Sequence, residues 1–462
     1  MKLTLLGAQD TVTGSKTLLQ FHGSSYLVDC GLFQGPRPLR DRNWAPFPPC
    51  ANIESILLTH AHLDHSGFLP RVYKQGYRGP VFASEGTCAL SQLILMDAAH
   101  LEEEQAGYAN QSGYSNHKPA EALFTREDAQ GILKQFVATK RQEWVPLKQG
   151  LACKFIRAGH IPGASMVQFS VPTPNGTRIL TFSGDIGSYT SMTMRPPDSL
   201  LETDVLVLES TYGNRTHGDE NVKDAFEKIA KRTFERNGVL VIPAFAVGRC
   251  QEILYLIRTL ENEGRLPVVP VIVDSPMSLD ATDVYLRFVE DHALGAEFSQ
   301  GRERLTPRLF EASRNVDDSM LACMREGPMV VISASGMVSG GRILHHLKKR
   351  LPQAENTVLF VGYQAEGTKG AILQSQKFQT LRIHHEEIPI ECEIATLDQL
   401  SAHADMNELL KWVGLIQQKP SLIIVNHGSV EAQKHLAQKI RDSFQIQVIP
   451  ACEQAEFSLF RD

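Results

Sequence analysis

Three imidazoles and one carboxylate fall within six positions of the stretch "ILLTHAHLDHSGFLP", which runs from Ile56 to Pro70: His60, His62, Asp64 and His65. The apolar run before them predicts a strand. Residues two apart on an extended chain point the same way, so His60 and His62 face together. Asp64 and His65 then fall where the chain turns into "SGFLPRVYKQG", an expected helix start. Imidazole nitrogen and carboxylate oxygen are the donors that zinc takes in open catalytic sites. A single histidine in such a place would be an ordinary loop residue, but four convergent donors point to metal-assisted hydrolysis.

The elements that must position these residues change texture along the chain. The first ~205 residues read as short strands with few helices, among them "KLTLLGA", "SYLVDCG", "SILLTH", "ACKFIRAGH", "RILTFSGD" and "DVLVLES". One long polar interruption, from "AAHLEEEQ" to "GILKQF", reads as helical at both ends around a Gly/Ser/Asn loop. After Tyr212, strands such as "VLVIPAFAVG", "VPVIVDSP", "PMVVISASG" and "TVLFVGYQ" alternate with amphipathic helices. That rhythm predicts a doubly wound parallel sheet. From about Glu391 the pattern shifts once more. The layout expected is a β-rich domain completed by the C-terminal part of the chain, with an α/β domain inserted between.

"THAHLDHSG" resembles the signature of the metallo-β-lactamase superfamily, and the rest of that pattern follows in order: Asp29 in "LVDCG", His160 in "AGHIPGA" and Asp185 in "FSGDIG". The resemblance implies an αββα sandwich with two metal positions. His60, His62 and His160 would hold one ion, Asp64 and His65 the other, with Asp185 bridging and Asp29 orienting a histidine ligand from behind. Later motifs resemble the β-CASP branch, the nucleic-acid-processing nucleases that include RNase J and the cleavage-factor endonuclease. These are "LVLESTYGNRTH" with Glu209, "GRCQE", "SASGMVSGGR", "GYQAEGTKG", "LSAHAD" with His403, and "IIVNHGS" with His427. The implied boundaries are 1–208 and 393–462 for the metallo-β-lactamase domain and 209–392 for a Rossmann-like β-CASP insertion. By the same resemblance His427 completes the second metal position, and histidine there marks members acting on RNA. Glu209 and His403 form the pair that supplies a general acid, and they stand with Asp64 as the catalytic residues. Ser429 takes a place where relatives commonly carry an acidic residue, and Cys250 one where Thr or Ala is frequent.

The expectation is therefore a ribonuclease using two Zn²⁺, with Mn²⁺ as the other candidate ion. It would act on single-stranded RNA, endonucleolytically or 5′-to-3′, and leave 5′-phosphate and 3′-hydroxyl ends. The rival of the same fold is a small-molecule metallo-hydrolase of thioesterase, lactonase or β-lactamase type, for which Glu209, His403 and the insertion have no use. A DNA nuclease is disfavoured by His427, and a non-catalytic scaffold by the full ligand set. Candidate phosphate contacts are Ser401, Arg249, Ser335 and Arg342, whereas "HHLKKR" (His345 to Arg350) reads as a solvated helix face. The net charge of −6 offers no global attraction for a polyanion, so local charge and metal must hold it. No stretch approaches the ~18 apolar residues of a membrane span. Eight scattered cysteines without a CxxC pair fit reduced thiols and a cytoplasmic protein, and a homodimer is the candidate assembly.

Overall fold

Strands that read as unbroken apolar runs need cover on both faces, and the chain supplies it in two compact units. The computed structural model describes the chain except for residues 49, 113–118, 219, 296–300, 363, 366 and 461–462. One unit comprises residues 1–189, 196–216 and 403–462, the other residues 190–195 and 217–402.

The first unit holds two seven-stranded sheets. In one, the antiparallel strands Lys2–Leu5, Thr17–Phe21 and Ser24–Val28 are followed by Ile53–Leu57 and Val81–Ser84, paired in parallel. The other contains Ala152–Arg157, Ser165–Thr173, Gly176–Phe182, Val205–Leu208 and Leu422–Val425. Leu3, Leu19, Tyr26 and Leu57 from the first sheet share one buried cluster with Phe155, Phe169, Leu180 and Ile424 from the second, so the sheets pack face to face. Leu69, Val72, Leu95 and Ile132 cover the outer side of the first sheet. The helix Val430–Phe444 packs on the far strands of the second. These layers are the expected αββα sandwich.

The second unit is built on a six-stranded sheet in which every pairing is parallel. Alternate residues of Val239–Pro243 go to opposite faces, as the pleat requires. Leu240 and Ile242 pack with Phe226, Ile253 and Leu256, whereas Val239 and Val241 pack with Ile343, Leu347 and Ala322. Helices thus cover both faces, and the doubly wound insertion is present.

Two readings of the chain need correction. The helix expected from "AAHLEEEQ" starts earlier, and spans Glu85–Ser112. Its first half, "EGTCALSQLILM", is too uniformly apolar and small to show a helical period. The Gly/Ser/Asn loop after it falls largely outside the described residues, as does Tyr363 of "GYQAEGTKG". The "HHLKKR" helix is not simply solvated, since His346 and Arg350 are buried. The Arg350 guanidinium donates to the carbonyls of Ala322 (2.9 Å) and Arg325 (3.0 Å), and Lys348 stays outside with Glu386.

His346 is turned inward by Asp274, a fully buried carboxylate at the end of the strand Val271–Val273. Asp274 accepts hydrogen bonds from Ser313 (2.6 Å), Ser319 (2.7 Å) and Arg342 (2.8 Å), and the His346 Nε2 lies 2.8 Å away. Burial alone would raise its pKa, but these donors hold it well below the ordinary carboxylate range. Asp274→Ala leaves that set of donors buried and unmatched. It is expected to cost about 3–5 kcal/mol of unfolding free energy. A carboxylate with a depressed native pKa stabilises above its unfolded pKa and loses that contribution as pH falls. The deficit against the parent, measured by urea denaturation, should be full at pH 7 and shrink below about pH 4.

Candidate metal centre

Parallel strands deliver their C-terminal ends to one edge, and the candidate metal donors cluster there. His60 follows Ile53–Leu57, His160 follows Ala152–Arg157, Asp185 follows Gly176–Phe182, Glu209 follows Val205–Leu208, and His427 follows Leu422–Val425. His403 enters beside them, through bridge pairing with Gly187, just before the helix Met406–Leu415. All belong to the first unit.

The backbone there is unusually constrained. Asp29 (φ 59°) and His427 (φ 51°) both adopt the left-handed region that side chains with a Cβ avoid. Gly31 passes so close to the metal loop that an added Cβ would lie 1.6 Å from the Asp64 carbonyl oxygen. Ser15 N–H donates to the same carbonyl (2.8 Å), and Cys30 N–H donates to that of His65 (2.7 Å). Gly31→Ala is expected to destabilise the fold by about 3 kcal/mol and to displace Asp64. Thermal unfolding together with the bound-metal stoichiometry would check both effects.

Two nests of donors meet at Asp185. Its Oδ2 lies 3.4 Å from His60 Nε2 and 3.7 Å from His160 Nε2, and His62 Nδ1 stands 3.1 Å from that same nitrogen of His160. Its Oδ1 lies 3.2 Å from His65 Nε2 and 3.5 Å from His427 Nδ1. His427 Nε2 is 3.1 Å from His65 Nε2 and 3.6 Å from Asp64 Oδ2. The donor atoms of His60, His62, His160 and Asp185 lie within 4.8 Å of one another, as do those of Asp64, His65, Asp185 and His427. One carboxylate therefore offers one oxygen to each group.

The electrostatics suit a cation. Burial pushes the His60 pKa well below its ordinary value and that of His62 down to about 4, so both carry free lone pairs at neutral pH. Burial would raise the carboxyls of Asp185 and Asp64. The neighbouring histidines outweigh it, holding Asp185 well below the usual range and Asp64 at about 2. Burial also opposes charge on His65, yet Asp185 and Asp29 raise its pKa well above 6.5. A cation taken at its Nε2 displaces that proton. The buried His60 Nε2, His62 Nε2 and Asp185 Oδ1 find no hydrogen-bond partner within the protein. Unsatisfied, inward-facing lone pairs on imidazole and carboxylate are what a bound divalent ion satisfies. The residues fit a metal cofactor.

A supporting layer sets the orientation of these donors. His65 Nδ1 lies 2.7 Å from Asp29 Oδ2, the place expected of that carboxylate. Thr59 belongs to the same layer and was not singled out from the sequence. Its N–H (2.8 Å) and Oγ1 (2.9 Å) donate to Asp29 Oδ1, and Oγ1 lies 3.1 Å from His60 Nδ1. Its signal was in plain view, as the residue that ends the strand and opens the histidine cluster.

His403 stands at the edge of the cluster, with its side chain 21% exposed where that of Glu209 is 1% exposed. Its Nδ1 lies 3.3 Å from either carboxylate oxygen of Glu209 and 3.9 Å from Asp185 Oδ2. Glu209 also accepts from the Ile186 and Thr211 N–H groups, which fixes both its oxygens. Burial opposes protonation of His403, but Glu209, followed by Asp185 and Asp64, raises its pKa to about 9. These carboxylates favour the protonated imidazole at neutral pH, with Glu209 held at Nδ1.

The four candidate phosphate contacts, Ser401, Arg249, Ser335 and Arg342, belong to the second unit. Arg249 is buried with its guanidinium on Glu252, and Arg342 is held by Asp274 and by the carbonyls of Ser313 and Arg314. The Ser335 Oγ accepts from Ser339 and Gly340 N–H, folding the glycine-rich loop on itself. Ser401 is buried. Ser429 caps the helix Val430–Phe444 by accepting from Ala432 N–H.

An αββα sandwich with a buried cluster of histidine and carboxylate donors and an inserted parallel-sheet domain defines a metallo-hydrolase of the metallo-β-lactamase type. Comparison with known proteins narrows the class. Residues 250–373 match the Beta-Casp domain, and residues 387–450 match the Zn-dependent metallo-hydrolase RNA specificity domain. The chain is 37% identical to "Ribonuclease TTHA0252" of Thermus thermophilus over 93% of its own length and 94% of that protein. It is 28% identical to "Transcription termination factor FttA" of Methanosarcina mazei over 97% of its length and 70% of that protein. A crystal structure of a protein of unknown function from Enterococcus faecalis V583 shares the fold, with a TM-score of 0.52 at 12% identity and 97% of both chains covered. The chain belongs to the β-CASP nuclease family of the metallo-β-lactamase superfamily. Among the described residues no helix is long and apolar enough to cross a membrane.

Proposed function

We propose that the protein is a ribonuclease that hydrolyses single-stranded RNA with two Zn²⁺ ions, leaving 5′-phosphate and 3′-hydroxyl ends. The observation that carries this reading is the division of the Asp185 carboxylate between two donor groups, with a protonated histidine beside them. His60, His62 and His160 would hold one ion, Asp64, His65 and His427 the other, and Asp185 both. The ions, when bound, neutralise charge on the phosphoryl oxygens and acidify water. His403 protonates the departing 3′-oxygen through Nε2, while Glu209 fixes Nδ1 and sustains the positive charge. Asp29 and Thr59 hold His65 and His60 in the orientation that points Nε2 inward.

A relative named as a ribonuclease, matched over nearly all of both chains, supports RNA as the substrate. Eight free cysteines support a reducing, cytoplasmic setting. The exposed apolar residues Val316, Met320, Leu321 and Met324 on one helix support a homodimer. The deciding experiment offers the zinc-loaded protein end-labelled RNA, DNA of equal sequence, nitrocefin and an acylglutathione thioester. RNA alone should be cut, with 5′-phosphate products. Turnover of the thioester or nitrocefin with RNA intact would overturn the reading in favour of a small-molecule hydrolase.

A further inference from the structure

A second polar site lies behind the metal loop, in the same unit. Lys16 is 3% exposed, an exceptional burial for a lysine. Its Nζ donates to the Gly31 carbonyl and sits over two aromatic rings, 4.4 Å from the Phe33 centroid and 4.8 Å from that of Phe68. Among the described residues no carboxylate forms an ion pair with it. The acidic side chain lining the same space, Asp10, is held by Arg42 through two hydrogen bonds of 2.8 and 2.7 Å. Aromatic faces and one carbonyl leave a buried ammonium poorly compensated, and burial lowers its pKa to about 8.

Lys16 lines a cavity of about 490 Å³ whose walls include Phe33, Phe47, Phe68 and Val430, with Arg42 and Asp10 as its other charged groups. That size lies within the usual range for small-molecule sites, as do apolar walls with a few placed polar groups. A buried cation of this kind gains most from an anion that can reach it without bringing water. We propose that this cavity is a binding site for a small organic anion, whose carboxylate or phosphate head pairs with Lys16 while an apolar body lies against the phenylalanine walls.

Such a ligand would be tied to the metal loop through the backbone. Lys16 holds the Gly31 carbonyl, Gly31 N–H donates to the Ser15 carbonyl (2.9 Å), and Ser15 N–H donates to the Asp64 carbonyl (2.8 Å). The cavity is thus joined through the backbone to the segment that carries Asp64, while none of its lining residues belongs to the donor cluster.

Benzoate, benzyl alcohol of nearly the same shape, and phenyl phosphate serve as probes on the metal-loaded protein, using calorimetry at pH 7. Benzoate or phenyl phosphate should bind one to one, at least tenfold more tightly than benzyl alcohol. Lys16→Met, which keeps the length and apolar stem, should weaken the anion at least tenfold while metal content and circular dichroism stay unchanged. The relative affinities of the two anions separate a carboxylate site from a phosphate site. Equal binding of anion and alcohol, no binding of either anion, or anion binding retained in Lys16→Met would overturn the assignment. The last outcome would place the anion on the metal centre instead. If Lys16→Met fails to fold, Lys16→Arg and side-chain NMR of the parent replace it. Titration with benzoate should then raise the pKa of one lysine, and an unmoved lysine spectrum overturns the proposal.

Discussion

Asp185→Ala is expected to lower RNA hydrolysis by at least about 10³-fold, equivalent to about 4 kcal/mol of transition-state stabilisation. The size follows from position, because among the described residues no other side chain belongs to both donor groups. Bound zinc, measured by elemental analysis after dialysis, should fall below two ions per chain. His65 should titrate closer to an ordinary histidine, because the first of the two carboxylates that raise its pKa is gone. Cleavage at the parental rate by a folded variant would rule out the shared centre. His62→Ala provides the one-sided comparison, since it removes a donor from one group only and should spare the ion held by Asp64, His65 and His427.

His403→Ala should retain both ions yet lose about 10²- to 10⁴-fold in turnover, the range for removing a positioned acid. Loss of zinc instead would mean that His403 is a ligand. A substrate that needs no acid separates chemistry from damage. Bis(p-nitrophenyl) phosphate has a stable leaving group, so the same variant should be far less impaired on it than on RNA. The pH profile gives an independent reading through Glu209. His403 must be protonated to act, and its pKa is raised to about 9, so the parental rate should hold until about pH 9 and fall above it. Glu209→Gln keeps an acceptor for the Ile186 N–H but removes the negative charge. The alkaline limb should then move down toward the ordinary histidine value near 6.5. At pH 8 the variant loses much of its rate, and at pH 6 it approaches the parent. An unmoved limb would assign the proton to another group.

How much of this was legible depends on covalent distance. His60, His62, Asp64 and His65 declare themselves because a strand and a turn fix their relative directions within one short segment. Glu209 and His403 are 194 positions apart. Nothing in the local pattern joins them, and only the resemblance did. Thr59 escaped for the opposite reason. A threonine at the end of a strand is ordinary by composition, and its value lies in three contacts made to Asp29 and His60. The parallel sheet of the second unit was readable because its strands are buried on both faces. The misreading of His346 and Arg350 shows the limit of judging a helix by charge alone. Whether a basic side chain faces water depends on what waits beneath it, and Asp274 and the carbonyls of Ala322 and Arg325 come from other elements.

The strand Glu456–Ser458 pairs with Lys2–Leu5, and Leu422–Val425 closes onto Val205–Leu208. Each sheet thus waits on a segment late in the sequence for one of its rungs. Until then Val205–Leu208 presents a bare apolar flank, the kind of edge that invites other chains. His427 arrives with the same late segment. The second donor group therefore lacks His427 until Leu422–Val425 has closed onto Val205–Leu208, so closure of the sheet and completion of the donor set are one folding event.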